Sequence, residues 1–186
     1  YLQQVLGLDV LGIGLMLLPG GILMGVMAPF VGNAFDRFGP TPLVIPGMII
    51  AAGALWGMTM FDANTGVPFV IAVHLALNLG LGLTFTPLLT SALGSLPRRY
   101  YPYGSATVGT LQQVAGAAGT ALFVTIMTVT TASRLAEGSD EILAKADGVH
   151  AAFLVGAIVA TAAVVLALFV RKPAPVDEAE TPALAH

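Results

Sequence analysis

Charge is what this sequence most lacks. Only 9% of its 186 residues are Asp, Glu, Lys or Arg, against about 25% in an ordinary soluble domain. A soluble chain of this length would break its apolar stretches with charged faces, and this one does not. Cysteine is absent, which excludes disulfides and thiolate metal sites but does not name a compartment. Histidine occurs only at 74, 150 and 186, too few and too scattered for a metal centre. Seven Lys+Arg against ten Asp+Glu leave a net charge of −3, so no basic surface argues for nucleic acid. A Ser/His/Asp set, a metal-ligand spacing and a phosphate loop are all missing, so neither an enzyme nor a cofactor is expected. A membrane-embedded enzyme would need reactive groups clustered at one depth, and His74 with Asn78 does not make such a cluster.

What fills the chain is apolar. Hydrophobic residues make up 56%, gathered in five runs at 11–35, 43–61, 67–93, 104–132 and 150–170. Each reaches the roughly 18 residues needed to cross about 30 Å of hydrocarbon as a helix. The first run has no basic leader and belongs to a series of similar runs, so it does not read as a secretory signal. The breaks between runs sort their positive charges by position. The first, third and fifth carry Arg37, then Arg98 and Arg99, then Arg171 and Lys172, five in all. The second carries none, and the fourth (133–149) has only Arg134 and Lys145 among four acidic residues. Lys/Arg excess marks the cytoplasmic loops. The expected protein is therefore an all-α, polytopic membrane bundle with its C-terminus in the cytoplasm and Tyr1 outside.

Residues 1–10 read as the end of a preceding span with an outer loop, because Tyr1-Leu2-Gln3-Gln4 places an aromatic and two amides at an interface. The chain also starts without Met, which points to the C-terminal piece of a longer protein. Residues 11–170 form the five-span bundle. Residues 171–186, rich in Ala, Pro and Glu, read as a disordered cytoplasmic tail. The acidic outer loop is expected to hold at most a short helical turn near 140–146.

Small and polar residues within the runs carry the remaining information. Gly21 with Gly25, and Gly53 with Gly57, have the small-xxx-small spacing of closely packed membrane helices. Pro19 and Pro29 interrupt the first run, where they serve either packing or a hinge. No Asp, Glu, Lys or Arg lies deep in any run, and His74 is the one ionisable exception. Asn78 follows it by one turn, on the face shared with Leu81 and Phe85. Two polar groups facing lipid would be costly, so this face turns toward the protein or a wet cavity. His74 and Asn78 act either as interhelical glue or as part of a pathway. In the fourth run, Ser105, Gly109, Gln113, Gly116 and Thr120 share one stripe with Gln112 at its side. That stripe suits packing and cavity lining equally, and its small residues place this helix centrally. The fifth run has almost only Ala, Val and Leu and reads as peripheral. In the first inside loop, Asp36 and Arg37 act at helix ends or on lipid headgroups. Arg98, Arg99 and the tyrosines around them suit the headgroup zone.

Taken in order, Tyr1-Leu2-Gln3-Gln4, Pro19-Gly20-Gly21, Asp36-Arg37-Phe38-Gly39, Gly80-Leu81-Gly82, Pro87 and Gln112-Gln113 resemble the second half of the major facilitator superfamily. The nearest branch is the fourteen-span drug:proton antiporters of bacterial membranes. The resemblance covers nearly all of residues 1–170 and implies a partial major facilitator fold, with the five runs as spans ten to fourteen. It also implies a plasma-membrane transporter that exchanges protons for hydrophobic small molecules, its N-terminal half lying outside this sequence. Asp36, Arg37 and Gly39 match a degenerate copy of the family's cytoplasmic gating motif. Pro40-Thr41-Pro42 stands where further Arg would be, so the latch it implies is weak. His74, Asn78, Gln112 and Gln113 are the candidate pathway residues. The alternative is a small membrane scaffold or subunit that binds a partner through its Gly/Ala helix faces.

Overall fold

A computed structural model describes residues 1–3, 5–62 and 65–170 of the chain. The structure is all helical: α1 (Val10–Phe38), α2 (Thr41–Met58), α3 (Val67–Gly94), a single 3-10 turn (Arg98–Tyr100), α4 (Tyr101–Ala136) and α5 (Glu141–Ala167). All five α-helices are long and apolar enough to cross a membrane. Leu15, Ile22, Phe30, Val114, Leu122 and Leu166 project from their surfaces, where a soluble bundle would carry charge. Hydrocarbon offers backbone groups no partner, so only a continuous helix satisfies them along such runs.

Local chemistry sets the ends. The Asp9 carboxylate caps α1 by accepting from the Gly12 amide at 3.2 Å. Gly39, at φ 77°, closes α1 by donating its N–H to the Phe35 carbonyl at 2.8 Å, and Pro40 then begins the next turn. Asp140 caps α5 through the Ile142 amide at 2.9 Å. Arg37 in the last turn of α1 and Glu141 in the first turn of α5 each complement the local end of the helix dipole.

Two helices extend well past their apolar runs. α4 reaches Ala136 and α5 begins at Glu141, so the long outer loop expected at 133–149 shrinks to residues 137–140. Ion pairing explains the difference. Arg134 bonds Glu137 at 3.2 Å and Asp147 at 2.9 Å, while Lys145 meets Glu141 one turn away at 2.6 Å. Charges paired along and between helix ends let polar residues continue the helices into water. The tail at 171–186, read as disordered, lies outside the described residues.

The helices pack as a row rather than in chain order. α1 lies on α3, α3 on α2, α2 on α5, and α5 on α4, while α1–α2 and α3–α4 contacts are slight. The tightest seam joins α2 and α3. A methyl added to Gly80 would sit 2.6 Å from the Gly47 carbonyl oxygen and 2.6 Å from the Ala51 amide nitrogen, so the two backbones touch. At the α2–α3 turn, Ala54, Met58 and Val73 form a buried cluster under Phe61, against which Tyr1 stacks at 5.1 Å and Phe153 packs edge-on at 6.1 Å.

The row corrects three sequence expectations. The close-approach glycines of the α2–α3 seam are Gly47 and Gly80; of the expected pairs only Gly57 meets a neighbour, the Val73 side chain at 3.3 Å, whereas Gly21, Gly25 and Gly53 have nothing within 4 Å of an added methyl. Small-xxx-small spacing says that two small residues share a face, not that the face meets a neighbour. α4 is an edge helix with no buried residue, not a central one. α5, expected at the periphery, lies between α2 and α4 with Ala144 and Ala157 fully buried. Its polar contact was overlooked: the Thr161 hydroxyl accepts from Trp56 Nε1 at 3.1 Å and donates to the Ala157 carbonyl at 2.8 Å.

Candidate functional site

The candidate residues fall into three places. His74 and Asn78 form the first, on the face of α3 that meets α1. The Asn78 amide nitrogen donates to the His74 carbonyl at 2.9 Å, an i,i+4 bond within α3. The same nitrogen lies 3.1 Å from Nε2 of the His74 ring and 3.4 Å from Nδ1. Nε2 in turn lies 3.3 Å from the Leu17 carbonyl oxygen, so the imidazole reaches across to α1. Gly20 makes room for both side chains. A methyl there would sit 2.5 Å from His74 Nε2 and 2.6 Å from Asn78 Nδ2. The two side chains are half-buried, so the pair joins two helices and still touches the surroundings.

Gln112 and Gln113 form the second place, on α4 and far along the row from α1. Both are exposed. Gln113 opens a shallow concave patch of about 650 Å³ that continues through Gly116, Ala117, Thr120, Ala121, Val124 and Thr125. Every lining residue belongs to α4, so the patch is one wall without an opposite wall. The Gln pair and the His74–Asn78 pair are not brought together.

The third place is the turn between α1 and α2. Asp36 and Arg37 are exposed at the end of α1, and Gly39 is buried in its left-handed conformation. Neither charged residue forms an ion pair among the described residues. No group of three or more metal-ligating side chains occurs among the described residues.

Sequence reasoning missed Leu17 and Gly20. A backbone carbonyl leaves no mark in sequence, and Gly20 stands beside Gly21 in a run where either could face inward.

Five membrane-length helices and a seam of glycines describe a membrane helix bundle. A profile of the Major Facilitator Superfamily matches residues 1–120. The chain belongs to the major facilitator superfamily. It is a multi-pass membrane protein with a partial major facilitator fold. It is 40% identical over 177 residues to the lincomycin resistance protein LmrB of Listeria monocytogenes, covering 92% of this chain and 38% of that protein. LmrB of Bacillus subtilis is 39% identical over 178 residues, 92% of this chain and 37% of its own length. The multidrug efflux pump LfrA of Mycolicibacterium smegmatis is 32% identical over 128 residues, 69% of this chain and 25% of LfrA. The chain thus spans less than two-fifths of the length of these superfamily relatives.

Proposed function

We propose that this chain is the C-terminal part of a bacterial plasma-membrane transporter that expels hydrophobic small molecules in exchange for protons. Its N-terminus lies outside and its C-terminus in the cytoplasm, with the tail at 171–186 on the inner side. The unmatched wall of α4 carries the reading. A helix with no buried residue, lined by Gln113, Gly116, Ala117 and Thr120, is suited to face a second bundle across a cavity. Likeness to proteins named for lincomycin resistance and multidrug efflux supports the substrate class.

Alternating access works by rocking two repeats around a midplane site. On this reading α4 contributes Gln112 and Gln113 to the pathway from one side, with His74 and Asn78 at the α1–α3 side. Side-chain amides supply hydrogen bonds without fixed charge, which suits a site that admits varied apolar compounds. Asp36, Arg37 and Gly39 form the inner gating loop, their charges free to meet the other half when the inner face closes. The missing N-terminal half supplies the opposing bundle, and lipid covers the outer faces.

The test adds a fluorescent apolar dye to inverted membrane vesicles that carry the full-length protein and an imposed proton gradient. Proton-coupled efflux predicts dye transport that collapses when a protonophore dissipates the gradient. Gln113→Leu should change the transport rate while expression holds. Transport that ignores the gradient would remove the proton coupling. No transport of any apolar compound would leave the scaffold reading.

A further inference from the structure

We propose that the turn between α3 and α4 is a docking site for the headgroup of an anionic phospholipid. Its residues are Arg98, Arg99, Tyr100, Tyr101 and Tyr103. The site needs only that α3 and α4 cross the membrane, and it stands apart from what the whole protein transports. A turn between two membrane-length helices has to lie at a bilayer surface, where headgroups surround it.

Charge balance sets this turn apart. At the α4–α5 turn each cation has its own anion: Arg134 holds Glu137 and Asp147, and Lys145 holds Glu141. Residues 63–136 contain no Asp or Glu, so neither α3 nor α4 can supply a carboxylate to the turn that joins them. The α1–α2 turn shares this membrane face, since successive spans alternate in direction. α5 ends on the same face, because the Thr41 hydroxyl at the start of α2 donates to the Val170 carbonyl at 3.1 Å. Asp36 comes with Arg37 beside it, both exposed, and the two cancel. Among the described residues, Arg98 and Arg99 thus leave this face with net positive charge, both side chains exposed.

The aromatic residues decide how that charge is presented. Arg99 lies over the Tyr100 ring, its guanidinium carbon 4.8 Å from the ring centroid. A guanidinium held on a ring face keeps its in-plane N–H donors for a phosphate, which it can grip with two parallel bonds. Arg99 has no carboxylate partner among the described residues. Tyr100, Tyr101 and Tyr103 are exposed, and their hydroxyls make no hydrogen bond among the described residues. Tyrosine at this depth lays its ring beside acyl chains and offers its hydroxyl to headgroup oxygens. The matching ligand is anionic at one end and apolar at the other, which describes an anionic phospholipid and not a free anion. Once bound, it pins the start of α4, a helix that touches α3 only slightly.

The experiment uses the full-length protein in nanodiscs, with a fluorophore on a single cysteine introduced as Ser95→Cys. Quenching by spin-labelled phosphatidylglycerol is compared with quenching by spin-labelled phosphatidylcholine. A second probe, at Ser139→Cys, reports the charge-balanced α4–α5 turn. Phosphatidylglycerol should be preferred at position 95 and not at position 139. Arg99→Gln should lower that preference about fivefold, and loss of both arginines about twenty-five-fold, since each arginine near an anionic surface is worth about a factor of five. Equal quenching by the two lipids at position 95 in the parent overturns the site, whether or not a variant folds. A preference that survives Arg98→Gln with Arg99→Gln overturns it as well. Equal quenching together with a lower thermal midpoint for Arg99→Gln in detergent would assign the patch to a carboxylate elsewhere in the protein. None of these results bears on the dye-efflux test.

Discussion

The α2–α3 seam and the free face of α4 are built from the same kinds of residue and end in opposite situations. At the seam, Gly47, Gly80 and Ala51 let two backbones meet. On α4, Gly109, Gly116 and Gly119 have nothing within 4 Å of an added methyl. Membrane helices gain little from hiding apolar surface from lipid, so small residues matter where they permit close packing or leave a cavity. The seam is satisfied within this chain. The α4 face is not, and on the proposed function its partner belongs to the rest of the protein.

Equal substitutions on the two faces should break the symmetry between them. Gly80→Val drives a branched side chain into the Gly47 carbonyl and the Ala51 amide. Overpacking of that kind costs about 1–3 kcal/mol, and here neighbouring backbone cannot give way, so the upper end is expected. Thermal unfolding of the full-length protein in detergent should show the largest drop in midpoint for this variant. Gly116→Val meets open space within this chain and should leave the midpoint nearly unchanged while impairing efflux. Equal destabilisation by both would remove the contrast.

A smaller effect is expected at the join between α2 and α5. Trp56→Phe removes the indole donor from the Thr161 hydroxyl and should cost about 1 kcal/mol, the ordinary net value of one hydrogen bond. Thr161→Val should cost a similar amount, and the double variant little more than either alone, because one bond links them. The smallest effect belongs to the ion pairs at the α4–α5 turn. Arg134, Glu137 and Asp147 are about half exposed, so Arg134→Ala should cost no more than about 1 kcal/mol, and less in high salt.

Much of this architecture was legible from hydropathy alone. Runs of apolar residues have to be helices when hydrocarbon surrounds them. The pairing of His74 with Asn78 was legible too, since residues four apart share a helical face. Their contact with Leu17 and Gly20 was not, because it depends on the register between two helices. The span of α5 was misread for a related reason: Glu141, Lys145 and Asp147 look like loop residues until Arg134 of another helix is placed beside them. The position of α4 was unreadable in a deeper sense. Its Gly, Ala and Gln content suits a helix with neighbours all round, and this chain supplies neighbours on one side only.

That last point is the central claim, and a photo-crosslinking residue at Ala117 tests it directly. Ala117 lies in the middle of the α4 wall, and the full-length protein would be irradiated in membranes and its adducts sequenced. The account predicts adducts to peptides encoded upstream of Tyr1, from the bundle across the cavity. Adducts to lipid alone would contradict it and make α4 an outer helix.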